Sequence, residues 1–440
     1  MATKKYDIQP TILIVIGVTG DLSKRKLLPA VNQILKVTPP NTLRVLGVTR
    51  RDLSVDEILE DVTEADLLRP NFDTYQMSLT DISGYEELRA HLAKLDSTTD
   101  TMHQKIIYLS IPPQISLPVV ELLGKSGIAD LPDTKILLEK PFGTDLESAN
   151  ELVEGTKQHF DEQQIYRIDH YMAKEMAQNL IVFRENNSLF RRTWNKDFIE
   201  SIQIIASEKI GIEGRATFYE QTGALRDLIQ SHLLQLAALV LADISPSPNQ
   251  NISKARLSAL KQLVTPQDIH QQVRRAQYIG YRDEAESPVS TVETFVSLTL
   301  FSKDPRWTNV PITLTTGKAL GDKMTEIRIK YKQDSADEAN MLTLRIQPNE
   351  GIEVDLWAKE PGYDNELLKV PLRFTYDNHF TSLPEAYERV FMDAIRSNHS
   401  LFATSEEVLE TWRILDPIQK AWAMDDADLV FYQPGTQPEF

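Results

Sequence analysis

The stretch TILIVIG, residues 11–17, constrains the fold more than any other. A threonine is followed by five aliphatic residues and then a glycine. A strand that is apolar on both faces has to be covered on both, which is the situation of a parallel strand between two helical layers. The theme returns in LRVLGVTR (43–50), KIIYLSIPP (105–113) and KILLEKPFG (135–143), the last two stopping at Pro- or Gly-rich turns. Stretches with helical spacing lie between them, DLSKRKLLPAVNQILK (21–36) being the clearest. This alternation predicts a doubly wound α/β domain over residues 1–166. The pattern then changes. FIESIQIIASEK (198–209), TVETFVSLTLFSK (291–303), VPITLTTGKAL (310–320), EIRIKYK (326–332), NMLTLRIQP (340–348) and GIEVDLWAK (351–359) include alternating patterns. They predict an α+β domain over 167–440 with a large, mostly antiparallel sheet, packed against helices from 213–265 and 384–424.

The chain has 440 residues, enough for two such domains, and a formal charge of −17 from 47 basic and 64 acidic residues. That balance argues against a non-specific nucleic-acid binder or a basic membrane-surface protein. A phosphorylated ligand would need a local cluster of cations to hold it. There is no cysteine, so disulfides and thiolate chemistry are excluded. The opening MATKKYDIQPTILIVIG shows no signal-peptide cleavage pattern. HLLQLAALVLA (232–242) is too short to span a bilayer and reads as a buried core helix. The expectation is a cytoplasmic protein that touches neither membrane nor nucleic acid. The segment 241–253 reads as a polar loop, and the tail YQPGTQPEF as loosely held.

GVTGDLSKRK (17–26) joins the first strand to the first helix. Such a turn points backbone N–H groups and a helix N-terminus at a pyrophosphate. Only Gly17 and Gly20 of the dinucleotide fingerprint are present, so an ordinary tight turn reads equally well. The second strand shifts the balance by ending in Arg50 and Arg51. An acid there would suit a ribose 2′-hydroxyl, whereas arginine accommodates a 2′-phosphate. NADP is therefore favoured over NAD on a Rossmann-like domain.

The segment QQIYRIDHYMAKEMAQNL (163–180) gathers Asp169, His170, Tyr171 and Lys174. If it is helical, His170 and Lys174 share a face and await an anion. EKPFG (139–143) and IEGRATFYEQTGALRDLIQSHLLQ (212–235) add Lys140, Asp227 and His232. Histidine suits a general base because its ordinary pKa lies near neutrality. Asp227 and His232 are five apart, a spacing that does not place them on one α-helical face.

These segments resemble the glucose-6-phosphate dehydrogenase family over nearly the whole chain. The likeness rests on the turn at 17–26, Arg50, YLSIPP, EKPFG, RIDHYMAKEMAQNL, GIEGRATFYEQTGALRDLIQSHLLQ, RWTNVPITLTTGKAL and EAYERVFMDAI near the C-terminus. The resemblance implies oxidation of glucose 6-phosphate with NADP, NAD being possible as a secondary cofactor, and no metal. It implies His232 as the base, oriented by Asp169. His170, Tyr171 and Lys174 would hold the substrate phosphate, and Lys140 would lie between substrate and cofactor. Glu208 and Asp227 would meet sugar hydroxyls, and Lys318 and Lys323 would reach the substrate. Gly17, Thr19, Gly20, Asp21, Leu22 and Arg50, with Lys140, fall at coenzyme positions. A cis bond before Pro141 and a homodimer or dimer of dimers built on the second sheet are also implied.

The chain departs from the family in being short between Arg51 and Lys105 and in carrying Ala173 where glycine is common. Nothing supports a second, structural NADP site. Two rivals stand beside this reading. One is an oxidoreductase for another sugar 6-phosphate, or for a neutral polyol as in the glucose–fructose oxidoreductase group. The other is a silent nucleotide-binding protein on the same fold.

Overall fold

Six parallel strands form the first sheet of the computed structural model, which describes residues 5–99, 101–244, 251–333, 339–380 and 383–440. They are β1 Thr11–Ile16, β2 Leu43–Thr49, β3 Phe72–Gln76, β4 Gln104–Leu109, β5 Thr134–Leu138 and β6 Ile165–Arg167. Their order is β3-β2-β1-β4-β5-β6, so the direction of winding reverses between β1 and β4. Every residue of β1, β4 and β5 is buried, as the continuous apolar runs require. The short stretch after Arg51 still supplies β3 and the helix Ile82–Thr99.

The second sheet has ten strands: β7 Ile199–Ser207, β8 Leu263–Val264, β9 Val273–Tyr278, β10 Phe295–Ser302, β11 Ile312–Gly317, β12 Met324–Tyr331, β13 Met341–Gln347, β14 Gly351–Lys359, β15 Leu367–Thr375 and β16 Leu429–Tyr432. The order is β15-β14-β13-β12-β7-β11-β10-β9-β16, with β8 beside β10. Most pairs are antiparallel, but β7 with β11 and β9 with β16 run parallel. The tail is held rather than loose. Past β16, the Gly435 N–H donates to the Ala319 carbonyl at 2.7 Å, and the Phe440 ring lies 5.8 Å from that of Phe295.

Two compact units result. One comprises Met1–Gly143, Glu147–Ala173 and Pro384–Ser405; the other comprises Thr144–Leu146, Lys174–Leu383 and Glu406–Phe440. The expected boundary at 166/167 falls within β6. A correction concerns the helices of 384–424, all of which the sequence placed on the second sheet. The helix Ala386–Ile395 belongs to the first unit. Its Ala386, Val390, Phe391 and Ala394 enter the core that holds Leu13, Val31 and Ile106. Lys135 fastens its end by donating to the Ala394 carbonyl at 2.7 Å, and Gln104 donates to the Ile395 carbonyl at 3.0 Å. Helical spacing announces an apolar face but not the sheet on which it lands.

The core helix is also longer than expected. Helical structure runs over Ala216–Leu241, long and apolar enough by composition to cross a membrane, yet the apolar window is 83% buried inside the protein. Gly223 interrupts it with φ +61°. It is a core element. Of the loop expected at 241–253, residues 245–250 lie outside the described residues.

Candidate active site

At the reversal between β1 and β4, Gly17 adopts φ +86°, and a Cβ there would lie 2.2 Å from the Ser110 carbonyl oxygen. Only glycine fits. Its N–H donates to the Val48 carbonyl at 3.0 Å, and the Gly20 N–H donates to the Gly17 carbonyl at 3.0 Å. Ser23 opens a π-helical turn, Ser23–Leu27, and its hydroxyl donates to Ser110 Oγ at 2.9 Å. The turn is thereby closed against the end of β4, leaving backbone exposed where side chains would otherwise stand.

Two clefts flank this turn and share Gly20, Ser110, Ile111 and Pro112. The first, of about 590 Å³, is lined by Gly17, Thr19, Gly20, Arg50 and Arg51. The second, of about 400 Å³, is lined by Asp21, Leu22, Glu139, Lys140, His170 and Tyr387. All six coenzyme positions expected from the sequence, with Lys140, thus border one cavity or the other. A glycine cradle at the strand reversal and two guanidiniums at the tip of β2 fit a phosphorylated dinucleotide.

Lys140 follows β5, and the Lys140–Pro141 bond is cis. Glu139 stands beside it, and the sequence alone suggests no role for it. Its Oε1 accepts hydrogen bonds from the Tyr108 hydroxyl and, at 3.0 Å, from the Tyr387 hydroxyl. Burial raises its pKa against these donors and the Lys140 charge. Tyr387 stands in EAYERVFMDAI, a motif visible in the sequence but silent about this partner.

The segment 168–174 is a turn, not a helix, which corrects the idea that His170 and Lys174 share a helical face. Asp169 Oδ1 accepts the Tyr171 N–H at 2.9 Å, so the aspartate turns the chain locally. Ala173 lies in the same turn and favours no helix there. Lys174 is the N-cap of the helix Glu175–Asn186, with extended backbone angles. Asp169 is 4% exposed. Burial lifts its pKa to about 6, opposed by the His170 charge, the Tyr171 N–H and Lys140. The His170 and Tyr171 rings meet edge to face at 4.9 Å.

In the second unit, Glu208 follows β7 and Lys318 follows β11. These strands are parallel neighbours with Ser207 opposite Gly317, so both side chains leave the sheet at the same end. Lys318 and Glu208 form an ion pair, and the Lys318 Nζ lies 5.2 Å from the centre of the Tyr219 ring. Burial, then the charges of Asp227 and Glu293, push the Tyr219 hydroxyl well above its ordinary pKa. Glu208, Asp227 and Lys318 are thus gathered about one tyrosine. Lys323 is exposed in the turn before β12.

His232 is fully buried. The five-residue spacing from Asp227, which on an α-helix separates the two, has a different meaning here, because Leu225–Leu233 is a π-helix. Its i→i+5 bonds bring residues five apart onto one side. The Leu234 N–H closing on the Ile229 carbonyl is one of them. Glu293, for which the sequence suggested nothing, begins this segment: its Oε1 accepts the Leu225 N–H at 2.9 Å. Gly223 is required there, since a Cβ would lie 2.4 Å from that carboxylate oxygen. A buried acid just before an apolar strand, in TVETF, is the one signal that could have found it. Glu350 also escapes the sequence; its Oε2 accepts the Met176 N–H at 3.0 Å, in the first turn of the helix that Lys174 caps.

A glycine cradle suited to a phosphorylated dinucleotide in one unit, and in the other a buried histidine and a set of carboxylates and a lysine about Tyr219, fit an oxidoreductase working with a nicotinamide cofactor. Comparison with known proteins narrows the class. Residues 14–179 match the family model described as glucose-6-phosphate dehydrogenase, NAD binding domain, and residues 181–439 match its C-terminal domain. A glucose-6-phosphate 1-dehydrogenase of Chlamydia muridarum is 33% identical over 461 aligned residues, covering 94% of this chain and 90% of that protein. One from Borreliella burgdorferi is 34% identical, covering 99% and 96%. A solved structure of glucose-6-phosphate dehydrogenase in complex with its substrate glucose-6-phosphate superposes with a TM-score of 0.92 at 29% identity, covering 100% of this chain and 97% of that one. The chain belongs to the glucose-6-phosphate dehydrogenase family.

Proposed function

We propose that this protein oxidises D-glucose 6-phosphate to 6-phosphoglucono-δ-lactone, the first step of the oxidative pentose phosphate route, with NADP as its preferred cofactor and NAD as a secondary one. The observation that carries this reading is the substrate-bound relative, which matches the whole chain. His232 takes the proton of the C1 hydroxyl as the C1–H bond breaks and the C1 carbonyl forms. The nicotinamide, when bound, accepts the hydride. Asp169 is the acid assigned to orient His232 and to favour its protonated form. His170, Tyr171 and Lys174 hold the phosphate; Glu208 and Asp227 meet sugar hydroxyls; Lys318, and Lys323 from its exposed turn, reach the substrate. Lys140 bridges substrate and cofactor.

Arg50 and Arg51 at the tip of β2 support NADP over NAD. Homodimers, or dimers of dimers, would form through the outer strands of the second sheet, where Leu356, Leu367, Leu368 and Leu372 are exposed. The reaction would run in the cytoplasm, where a soluble cofactor and a sugar phosphate meet. The test is nicotinamide reduction with glucose 6-phosphate and with glucose, each with NADP and NAD. Turnover that requires the phosphate and is faster with NADP is expected. Equal turnover of glucose would overturn the phosphate grip, and silence with all four combinations would overturn the reaction.

A further inference from the structure

A separate cavity, of about 460 Å³, opens in the second unit among side chains with no part in the chemistry above. Four cations line it, Arg184, Arg191, Lys196 and Arg306, against the carboxylates of Asp197 and Asp243. In a chain carrying −17 overall, this is a local reversal of sign. Arg306 is already neutralised, by Asp243 at 2.9 Å and Asp304 at 2.6 Å. The others differ.

Arg184 is 6% exposed. Its guanidinium donates to the Leu239 and Ala242 carbonyls, both at 2.9 Å, and lies 4.8 Å from the centre of the Trp194 ring. Carbonyls at a helix C-terminus and an aromatic face hold a cation in place without cancelling its charge. Burial, then the neighbouring Arg306 charge, pull Arg184 down to about 9. Among the described residues Arg191 and Lys196 form no ion pair, although both border the cavity. Counting Asp304 beside Arg306, the four cations face three carboxylates, which leaves an excess of one positive charge.

We propose that this cavity binds a multiply charged phosphorylated metabolite, held by Arg191 and Lys196 over the buried charge of Arg184. Guanidinium and ammonium groups match phosphate oxygens, and Arg191 and Lys196, which form no ion pair among the described residues, are free to meet them. The chain's net charge repels anions at long range, so a ligand making several short contacts is favoured over a single carboxylate. The volume lies within the roughly 300–1,000 Å³ common for small-molecule sites. None of the residues assigned above to the substrate phosphate lines this cavity.

Calorimetric titration of inorganic pyrophosphate into the whole protein saturated with glucose 6-phosphate tests the site. Wild type is expected to bind pyrophosphate under these conditions. In the double variant Arg191→Ala/Lys196→Ala the affinity should fall roughly tenfold or more, with the KM for glucose 6-phosphate unchanged. The charge-retaining Arg191→Lys/Lys196→Arg variant should recover binding, which separates lost charge from lost folding. Pyrophosphate binding that glucose 6-phosphate abolishes, that is absent from wild type, or that is equal in the double alanine variant would overturn the proposal.

Discussion

The two sheets bury their side chains in opposite ways. In β1, β4 and β5 every residue is buried, whereas in β13 buried and half-buried residues alternate and β15 is mostly exposed. A parallel sheet enclosed on both faces leaves only its strand ends free, so the groups of the cofactor cleft come from end loops: Gly17 after β1, Arg50 after β2, Lys140 after β5. The antiparallel sheet could have offered a face instead. It does not. Glu208 and Lys318 also stand at strand ends, and they follow the one pair of central strands that run parallel. Parallel neighbours deliver two loops to the same edge, and antiparallel neighbours do not. The candidate site residues in both units are thus delivered by parallel pairing, while the outermost strand β15 is mostly exposed.

The contrast can be attacked from either side. The largest effect is expected from Phe391→Ala, which empties the first unit's core and should cost about 3–5 kcal/mol of stability. Chemical denaturation should show the loss in that unit first; an unchanged midpoint would mean the returning helix is not part of its core. Gly17→Val should lower turnover roughly a hundredfold or more by displacing the cofactor turn, since misplacement of about 1 Å costs that much. Calorimetry should show the loss in NADP binding, with glucose 6-phosphate binding intact; the reverse split would break the division of labour. Lys318→Met removes one member of the parallel-pair cluster. It should raise the KM for glucose 6-phosphate roughly 10–100-fold and leave NADP affinity alone, as steady-state kinetics would show.

The smallest effect concerns Asp169. Its folded-state pKa of about 6 lies above its unfolded value of about 3.9. The folded state therefore keeps the proton longer, and stability falls as the pH rises from about 4 to about 6, the penalty being complete above that. Asp169→Asn should remove it, gaining roughly 2 kcal/mol or less relative to wild type between pH 4 and pH 7 while losing turnover. Melting curves at the two pH values check this; a variant with no relative gain would show that the buried carboxylate is fully compensated.

Both sheets were legible in the sequence because burial of a strand is written locally, as a continuous apolar run or as an alternation. The glycine turn and Arg50 were legible for the same reason, since each lies at the end of such a run. What escaped was tertiary. The apolar stripe of 386–395 names no partner, and the carboxylates of Glu139 and Glu293 are bound by groups far away in the chain. The π-helix of 225–233 left no mark in composition, so a five-residue spacing read as two faces when the π-helix brings residues five apart onto one side. At 168–174, a helical reading of a polar cluster lost to an aspartate that satisfies its neighbour's backbone.

The most direct test of the central claim is His232→Asn, measured for turnover and for binding of both ligands in the same preparation. The expected result is a fall in kcat of about 10²–10⁴-fold, with NADP and glucose 6-phosphate affinities retained. A variant that turns over at the wild-type rate would contradict the assignment of the base, and with it the role given to the second unit.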